Sequence, residues 1–423
     1  MNHFEYRNGE MFAEEVPLKR IAQEVGTPVY VYSLATLKRH FQVFDQAFAK
    51  VSHIVCFSVK ANSNIALLRA FAKQGSGFDI VSGGELFRAL KAGGDPKKIV
   101  FSGVGKKKQE IEYALDAGIL MFNVESDEEL TALNDIAAGL GKKAPISLRV
   151  NPDVDPQTHP YISTGMKKAK FGVEIRKSLE TYKKAVGLPH IDVVGVDCHI
   201  GSQLTSLTPF VDALAKVREY LDRVLAGEMK KEGAQIRYLD LGGGLGINYN
   251  DETPPSPENY AKAIIEGLEG LDITLILEPG RVIVGNAGIL LTEVQYIKET
   301  DTKKFVIVDA GMNDLIRPAL YGSYQAIRPV FESKAETIVA DVVGPICESG
   351  DFFAKDREIA RPRRSDLLAV MSAGAYGFTM ASNYNSHPKP PEVLVDGDQY
   401  HIVRKRETME DLINGEMIPA SLQ

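Results

Sequence analysis

Three consecutive segments decide the fold: MFNVES (121–126), EELTALNDIAAGL (128–140) and ISLRVN (146–151). A short run of strand-forming residues is followed by a segment with helical periodicity, and a second strand-like run comes next. Parallel strands need such a crossover connection, because a tight turn cannot join them. The stretch therefore predicts a β–α–β unit in a parallel sheet.

The same alternation continues on both sides of this stretch. Helical segments such as PFVDALAKVREYLDRVLAG (209–227) separate most of the strand-like runs. The runs are IVCFSVK (54–60), GFDIVS (77–82), IVFSG (99–103), MFNVES (121–126), ISLRVN (146–151), VVGVDCHIG (193–201), YLDLGGG (238–244) and LILEPG (275–280). Eight such units predict an α/β fold, a (β/α)₈ TIM-type barrel, and a doubly wound parallel sheet is the alternative.

The pattern changes after residue 281, where strand-like runs follow one another with few helical segments between them. These runs are RVIVGNAGILLTEVQYIKE (281–299), KFVIVDAG (304–311), ETIVADVVG (336–344) and LLAVMSAGAYG (367–377). They predict a second, mostly β domain, a sandwich or barrel, which the N-terminal strand PVYVYS (28–33) joins. We expect residues 1–34 to belong with this β domain, residues 35–281 to form the barrel, and residues 282–423 to form the rest.

Length and composition narrow the class of protein. A chain of 423 residues exceeds the usual size of one core, so two domains are expected. The net charge of −7 argues against a nucleic-acid binder, which needs a basic face. No secretory signal and no membrane-length run of ~18 apolar residues is present, so a cytoplasmic protein is expected. Three cysteines at positions 56, 198 and 347 predict neither a disulfide framework nor a metal site.

Polar residues gather at the ends of the predicted barrel strands, where barrels carry their chemistry. In chain order they are Lys60, Asp79, Arg149, His199, Ser202, Gly242, Gly243, Gly244, Glu278, Gly280 and Arg281. If the barrel prediction holds, all of them converge on one end of it. Each also has an ordinary interpretation, such as a surface lysine, a core histidine, a tight glycine turn or a salt bridge at the rim.

Four of these features together match one cofactor. Lys60 follows a buried strand, where a partly desolvated amine has a lowered pKa and attacks aldehydes. The ring of His199 can stack on a flat cofactor, and the turn at 242–246 offers backbone N–H groups to a phosphate. A carboxylate at Glu278 can hold a pyridine nitrogen protonated. The set predicts pyridoxal 5'-phosphate; a dinucleotide fold would instead place its glycine turn after the first strand.

A series of motifs running from about residue 25 to 415 resembles one known family. The motifs are FSVKAN (57–62), GFDIVSGGEL (77–86), HIGSQ (199–203), LDLGGGLGI (239–247), EPGR (278–281), CESGD (347–351) and GAYG (374–377). They resemble the alanine-racemase-fold, pyridoxal-phosphate-dependent decarboxylases. The resemblance implies a barrel with a C-terminal β domain and a head-to-tail homodimer. It is strongest for the members that convert meso-2,6-diaminopimelate to L-lysine and CO₂, the last step of lysine biosynthesis.

The resemblance also implies roles for individual residues. Lys60 would carry the cofactor as a Schiff base, His199 would stack on its ring and Glu278 would pair with its nitrogen. Ser202 and the backbone of Gly243, Gly244, Gly280 and Arg281 would hold the phosphate, with Tyr376 beside it, and Asp79 and Arg149 would surround the ring. Arg281, Arg317, Tyr321 and Tyr376 would bind the substrate, with Glu348 on its distal ammonium. Cys347 and Glu348 would reach across the dimer, with Cys347 as the first candidate for the general acid and Lys60 as the second.

Other interpretations stay open at the level of the sequence. The same family includes decarboxylases of ornithine, arginine and carboxynorspermidine. An amino-acid racemase uses the same barrel, and a pyridoxal-phosphate carrier without catalytic activity is a third alternative. Arg317 together with Glu348 favours a substrate that has both a distal carboxylate and a distal amine.

Overall fold

The computed structural model describes residues 2–155, 158–159, 170–226 and 236–423. The chain folds into two compact units. The barrel unit comprises Lys38–Val284, and the β unit comprises Met1–Leu37 together with Gly285–Gln423.

The elements follow in chain order. The first part of the chain forms β1 (Phe4–Arg7), β2 (Glu10–Ala13), β3 (Val16–Pro17), α1 (Leu18–Val25), β4 (Val29–Ser33) and α2 (Leu34–Ala47). The barrel unit continues with β5 (His53–Ser58), α3 (Ile65–Ala72), β6 (Gly77–Ile80), α4 (Gly83–Lys91), β7 (Ile99–Phe101), α5 (Lys108–Ala117), β8 (Met121–Val124), α6 (Asp127–Gly139), β9 (Ala144–Asn151), β10 (Val173–Glu174), α7 (Ile175–Val186), β11 (Ile191–Asp197), α8 (Thr208–Ala226), β12 (Tyr238–Asp240), α9 (Pro257–Gly267), β13 (Thr274–Leu277) and α10 (Arg281–Val284).

The remainder of the β unit is mostly extended. It contains β14 (Gly288–Glu299), β15 (Lys304–Val308), α11 (Arg317–Tyr321), β16 (Ile327–Pro329), β17 (Thr337–Val343), β18 (Phe352–Ala360), β19 (Leu367–Val370), β20 (Glu392–Asp396), β21 (Gln399–Arg404) and α12 (Met409–Leu412). Short 3₁₀ turns lie at Val59–Ala61, Pro96–Lys98, Gly285–Ala287, Phe378–Met380, Tyr384–Ser386 and Ala420–Leu422.

The sheet of the barrel unit closes on itself. Eight of its described strands pair in parallel in the order β5–β6–β7–β8–β9–β11–β12–β13, and β13 pairs with β5 to complete the ring. Every residue of β6 and β8 is buried, as expected for strands covered on both faces. The short strand β10 pairs with β9 beside the ring. The predicted TIM-type barrel is confirmed.

Serine caps make the change from strand to helix abrupt. Ser82 accepts a hydrogen bond from Glu85 N at 3.2 Å at the start of α4, and Ser126 accepts one from Glu129 N at 3.2 Å at the start of α6. Such caps satisfy amide groups that the first helical turn leaves without partners. The helices that follow β6 and β8 therefore begin at defined residues.

The β unit is built around β14. This strand pairs antiparallel with β15, β19 and β4, and β4 also pairs in parallel with β20. The core beneath includes Met11, Val31, Ile289, Leu291 and Val393, all fully buried. The N-terminal strand therefore lies within the sheet of the β unit, which confirms the prediction for residues 28–33.

The predicted strand at 281–299 is wrong in its first seven residues. Residues 281–284 form α10 and residues 285–287 a 3₁₀ turn, so the strand begins only at Gly288. The carbonyl of Gly280 accepts hydrogen bonds from Ile283 N at 3.0 Å and Val284 N at 3.2 Å, which closes a helical turn. Both side chains are fully buried, and their packing outweighs the preference of β-branched residues for strands. No helix in the described ranges is long and apolar enough to cross a membrane.

Candidate active site

Lys60 and Asp79 form an ion pair at the C-terminal end of the barrel strands. Lys60 lies in the 3₁₀ turn after β5, and its Nζ is 2.7 Å from Asp79 Oδ2. Asp79 is fully buried, and its Oδ1 has no hydrogen-bond partner among the described residues. The Lys60 side chain is 34% exposed. A buried carboxylate thus anchors an amine that remains open to a ligand.

His199 follows β11 and packs against the glycine turn. Its Nδ1 accepts a hydrogen bond from Gly243 N at 3.1 Å. Gly242 has a φ of +64°, and a Cβ atom there would lie 2.3 Å from the same Nδ1, so only glycine fits. Burial lowers the pKa of His199 well below its usual range, and the charges of Arg149 and Lys60 lower it further. The ring is therefore a neutral imidazole in a fixed position.

Glu278 directly follows β13 and belongs to a pair of buried carboxyl groups. Its Oε1 accepts hydrogen bonds from Ser102 Oγ at 3.3 Å and Asn123 Nδ2 at 3.4 Å, and the same Nδ2 donates to Asp240 Oδ2 at 3.1 Å. Burial raises the pKa of Glu278 well above its usual range, and the charge of Asp240 raises it further. Burial also raises the pKa of Asp240 to about 6. The pair therefore retains a proton more readily than two exposed carboxyl groups would.

Arg149, near the end of β9, is the second cation of this region. Its Nη1 donates to Glu125 Oε1 at 2.8 Å, its Nη2 donates to the His199 carbonyl at 3.4 Å, and its Nε lies 3.9 Å from Asp197 Oδ2. We define the inner charge group as Lys60, Asp79, Glu125, Arg149, Asp197, Asp240 and Glu278. It contains five carboxyl groups and two cations, an imbalance that favours protons or a cationic ligand.

Arg281 opens α10 and is 4% exposed. Its Nη1 donates to the Tyr249 hydroxyl at 2.7 Å, and its Nη2 donates to Ser202 Oγ at 3.0 Å. Hydroxyl groups from two different loops thus fix the guanidinium. Gly280 precedes Arg281 directly, and Gly243 and Gly244 lie in the loop after β12.

The structure brings together, within the barrel unit, all of the site residues that the strand ends predict. The sequence did not predict four further residues that contact this site: Asn123, Glu125, Tyr249 and Asp240. Three of these stand at strand ends, within MFNVES and LDLGGG, so their positions alone could have indicated them. Tyr249 lies in a loop and gives no such signal.

The other predicted residues belong to the β unit. Arg317 and Tyr321 are the first and last residues of α11, and the Arg317 guanidinium carbon lies 5.5 Å from the centre of the Tyr321 ring. Cys347 and Glu348 are exposed in the loop between β17 and β18. Tyr376 follows β19 with a left-handed φ of +54°.

Comparison with known proteins gives one consistent family. Residues 34–285 match the family described as pyridoxal-dependent decarboxylase, pyridoxal binding domain. A protein of Pseudomonas aeruginosa named diaminopimelate decarboxylase is 56% identical over 418 residues, which cover 99% of both chains. A protein of Vibrio cholerae with the same name is 53% identical, covering 97% of this chain and 98% of its own.

Solved structures agree with the sequence relatives. A diaminopimelate decarboxylase from Helicobacter pylori complexed with L-lysine has a TM-score of 0.90 and 45% identity, covering 94% of this chain and 98% of that one. One from M. jannaschii in co-complex with L-lysine has a TM-score of 0.94 and 40% identity, covering 100% of both chains. This chain belongs to the family of pyridoxal-dependent decarboxylases.

Proposed function

We propose that this protein is a carbon–carbon lyase that decarboxylates meso-2,6-diaminopimelate to L-lysine and CO₂ with pyridoxal 5'-phosphate as its cofactor. The observation that carries the proposal is the Lys60 amine held 2.7 Å from the buried Asp79, in a chain that is 56% identical to a protein named for this reaction. The L-lysine in two similar structures supports the choice of substrate.

The residues present fit this cofactor. The inner charge group has more carboxyl groups than cations, and its Asp79 Oδ1 accepts no hydrogen bond from the residues that the structure describes, so the group suits a protonated ring nitrogen. Lys60 would hold the cofactor covalently, and Glu278 would pair with the ring nitrogen. The neutral His199 offers an uncharged planar surface to the ring. Ser202, with the backbone of Gly243, Gly244, Gly280 and Arg281, would hold the phosphate, beside Tyr376.

When bound, pyridoxal phosphate supplies the electron sink for the bond that CO₂ leaves. The protein's own groups set the conditions for that chemistry. Asp79 keeps the Lys60 amine in place, and Arg149 balances the carboxylates of Glu125 and Asp197. Since the pKa of His199 is far below neutrality, this ring adds no positive charge that would compete with Lys60.

Substrate selection would come from groups that match the distal carboxylate and the distal ammonium of a diamino diacid. The guanidinium groups of Arg281 and Arg317, with the Tyr321 and Tyr376 hydroxyls, would bind the distal carboxylate. Glu348 would bind the distal ammonium. The carbon that loses CO₂ needs a proton, and we assign it to the Cys347 thiol, with the Lys60 ammonium as the second candidate.

We also propose a homodimer with shared active sites, in which Cys347 and Glu348 serve the site of the partner subunit. Their exposure on the β unit is consistent with this role. A cytoplasmic location stays a prediction.

The test is CO₂ release from meso-diaminopimelate, ornithine, arginine and carboxynorspermidine by the purified protein with cofactor. We expect turnover of diaminopimelate, none by Lys60→Ala, and full turnover by the matched control Lys91→Ala, which changes an exposed lysine. Turnover of ornithine but not diaminopimelate would overturn the substrate assignment. A change in optical rotation without gas release would indicate a racemase.

Subunit mixing tests the shared site. Lys60→Ala and Cys347→Ala should each be inactive as pure proteins. Mixed in equal amounts and allowed to exchange, they should recover about a quarter of wild-type activity, because half of the dimers then contain one intact site. A mixture that stays inactive after exchange contradicts the shared site.

A further inference from the structure

The loop that carries Cys347 and Glu348 is held from its inner side by Asp351. We call residues 344–351 the Cys347 loop. The Asp351 carboxylate accepts hydrogen bonds from Met312 N and Ile346 N, both at 2.7 Å. Asp351 is 4% exposed, and Glu348 N donates to the Ile346 carbonyl at 2.7 Å, which tightens the turn. These bonds fix the base of the loop.

A second segment holds the exposed side of the same loop. The amide of Cys347 donates to Asn385 Oδ1 at 2.8 Å. Tyr384, which precedes Asn385, lies beside the Glu348 carboxylate, and the interaction with this carboxylate raises the pKa of Tyr384. Consecutive residues of one segment therefore contact consecutive residues of the Cys347 loop.

Asn385 reaches this position through an unusual backbone conformation. Its φ is +52° and its ψ is 25°, in the left-handed region that asparagine tolerates better than most residues. The segment is anchored by Asn383, whose Nδ2 donates to the His387 carbonyl at 3.1 Å and to Glu407 Oε2 at 2.6 Å. Such conformations persist where surrounding contacts impose them, often next to functional groups.

We propose that Asn385 is a positioning residue that sets the geometry of the Cys347–Glu348 pair, an inference that rests on the substrate role proposed for Glu348. Cys347 and Glu348 are exposed, and the hydrogen bond to Asn385 fixes the Cys347 peptide unit in addition to the bonds that hold Ile346 and Glu348. A fixed amide spares the ordering entropy that ligand binding would otherwise require. Asn385 thereby increases the selectivity of Glu348 for an ammonium group.

Two lysine-like inhibitors isolate this selectivity. L-lysine has the distal α-ammonium that Glu348 would bind, and 6-aminohexanoate has the same chain, carboxylate and terminal amine without it. The readout is the ratio of their inhibition constants against diaminopimelate turnover. Loss of folded protein changes the number of active sites but leaves this ratio unchanged, so the ratio separates positioning from a general structural effect.

Asn385→Gly removes the acceptor oxygen and keeps the left-handed backbone, because glycine adopts positive φ freely. We expect the preference for L-lysine to fall about fivefold, the factor for a lost hydrogen bond of ~1 kcal/mol. Asn385→Asp keeps an acceptor oxygen and should restore most of the preference. Asn8→Gly is the matched control, since Asn8 is also exposed with φ +51°, and its ratio should stay at the wild-type value.

The outcomes separate this inference from the proposed function. No CO₂ from diaminopimelate with the wild type contradicts the proposed function itself. If Glu348→Gln abolishes the preference for L-lysine but Asn385→Gly leaves it intact, the positioning role is wrong. In a Glu348→Gln background, Asn385→Gly should cause no further loss, because the two residues act as one unit.

Discussion

Lys60 Nζ and Asp79 Oδ2 lie 2.7 Å apart, and the two side chains differ in exposure: 34% for Lys60 and 0% for Asp79. Without Lys60, a buried carboxylate would lose its cationic partner, which costs more than the loss of an exposed pair. The pair therefore links the anchoring of a reactive amine to the stability of the barrel.

We predict that Lys60→Ala lowers the free energy of unfolding of the cofactor-free protein by about 2 kcal/mol. Adding Asp79→Asn to Lys60→Ala should recover most of the lost free energy of unfolding, because it removes the unpaired charge. Urea unfolding with and without each substitution measures both effects, with Lys91→Ala as the control. Equal stability of Lys60→Ala and the wild type would show that solvent replaces the lysine fully.

Tyr249 provides a prediction that the sequence alone did not offer. Its hydroxyl accepts from Arg281 Nη1 at 2.7 Å, and a hydrogen bond to a charged group contributes about 1.5–3 kcal/mol. Tyr249→Phe should therefore raise KM for diaminopimelate about tenfold with a smaller change in kcat. Steady-state kinetics measure this, and Tyr113→Phe, which alters a partly exposed tyrosine on α5, should match the wild type. An unchanged KM would mean that the guanidinium does not need the Tyr249 hydroxyl to stay in place.

The grouping of the residues at the strand ends was predictable, because a closed parallel barrel places the C-terminal ends of all its strands at the same end. Lys60, His199 and Glu278 are far apart in the chain, yet each follows a β-rich run, and topology forces them to one end. Tyr249 was not predictable, because its contact with Arg281 depends on the path of a loop. The 281–284 turn was misread because its β-branched residues favour strands locally, whereas its burial and the Gly280 carbonyl select a helical turn.

The raised pKa of the buried Asp314 carboxyl predicts that the stability of the β unit depends on pH. Asp314 is 2% exposed, and burial raises its pKa to about 7, with the charges of Asp309 and Asp351 acting in the same direction. A raised pKa in the folded state means that stability is full below the unfolded-state pKa of 3.8 and falls as pH rises towards about 7.

Asp314→Asn cannot ionise, so it should differ little from the wild type near pH 4 and exceed it by about 2–4 kcal/mol near pH 8. Thermal unfolding of both proteins across this range measures the difference. A constant gap at all pH values would show that the carboxyl does not titrate in this window.

Asp240 should control the pH at which the cofactor binds. Glu278 must be ionised to pair with a protonated ring nitrogen, and burial raises its pKa in the cofactor-free protein, with the charges of Asp240, Asp79 and Asp197 raising it further and that of Lys60 lowering it. Affinity for pyridoxal phosphate should therefore rise with pH as Glu278 loses its proton. Asp240→Asn removes one of those charges while Asn123 still donates to Glu278.

We expect the rise in affinity to occur at lower pH in Asp240→Asn than in the wild type. Dissociation constants for pyridoxal phosphate, measured from about pH 5 to about pH 8, give the two midpoints. The titrations of Lys60 and of the phosphate are common to both proteins, so the displacement isolates the Asp240 charge. Asp314→Asn, which removes a buried carboxyl of the β unit, is the control and should keep the wild-type midpoint. Coincident midpoints for Asp240→Asn and the wild type would show that Glu278 titrates independently of its neighbour.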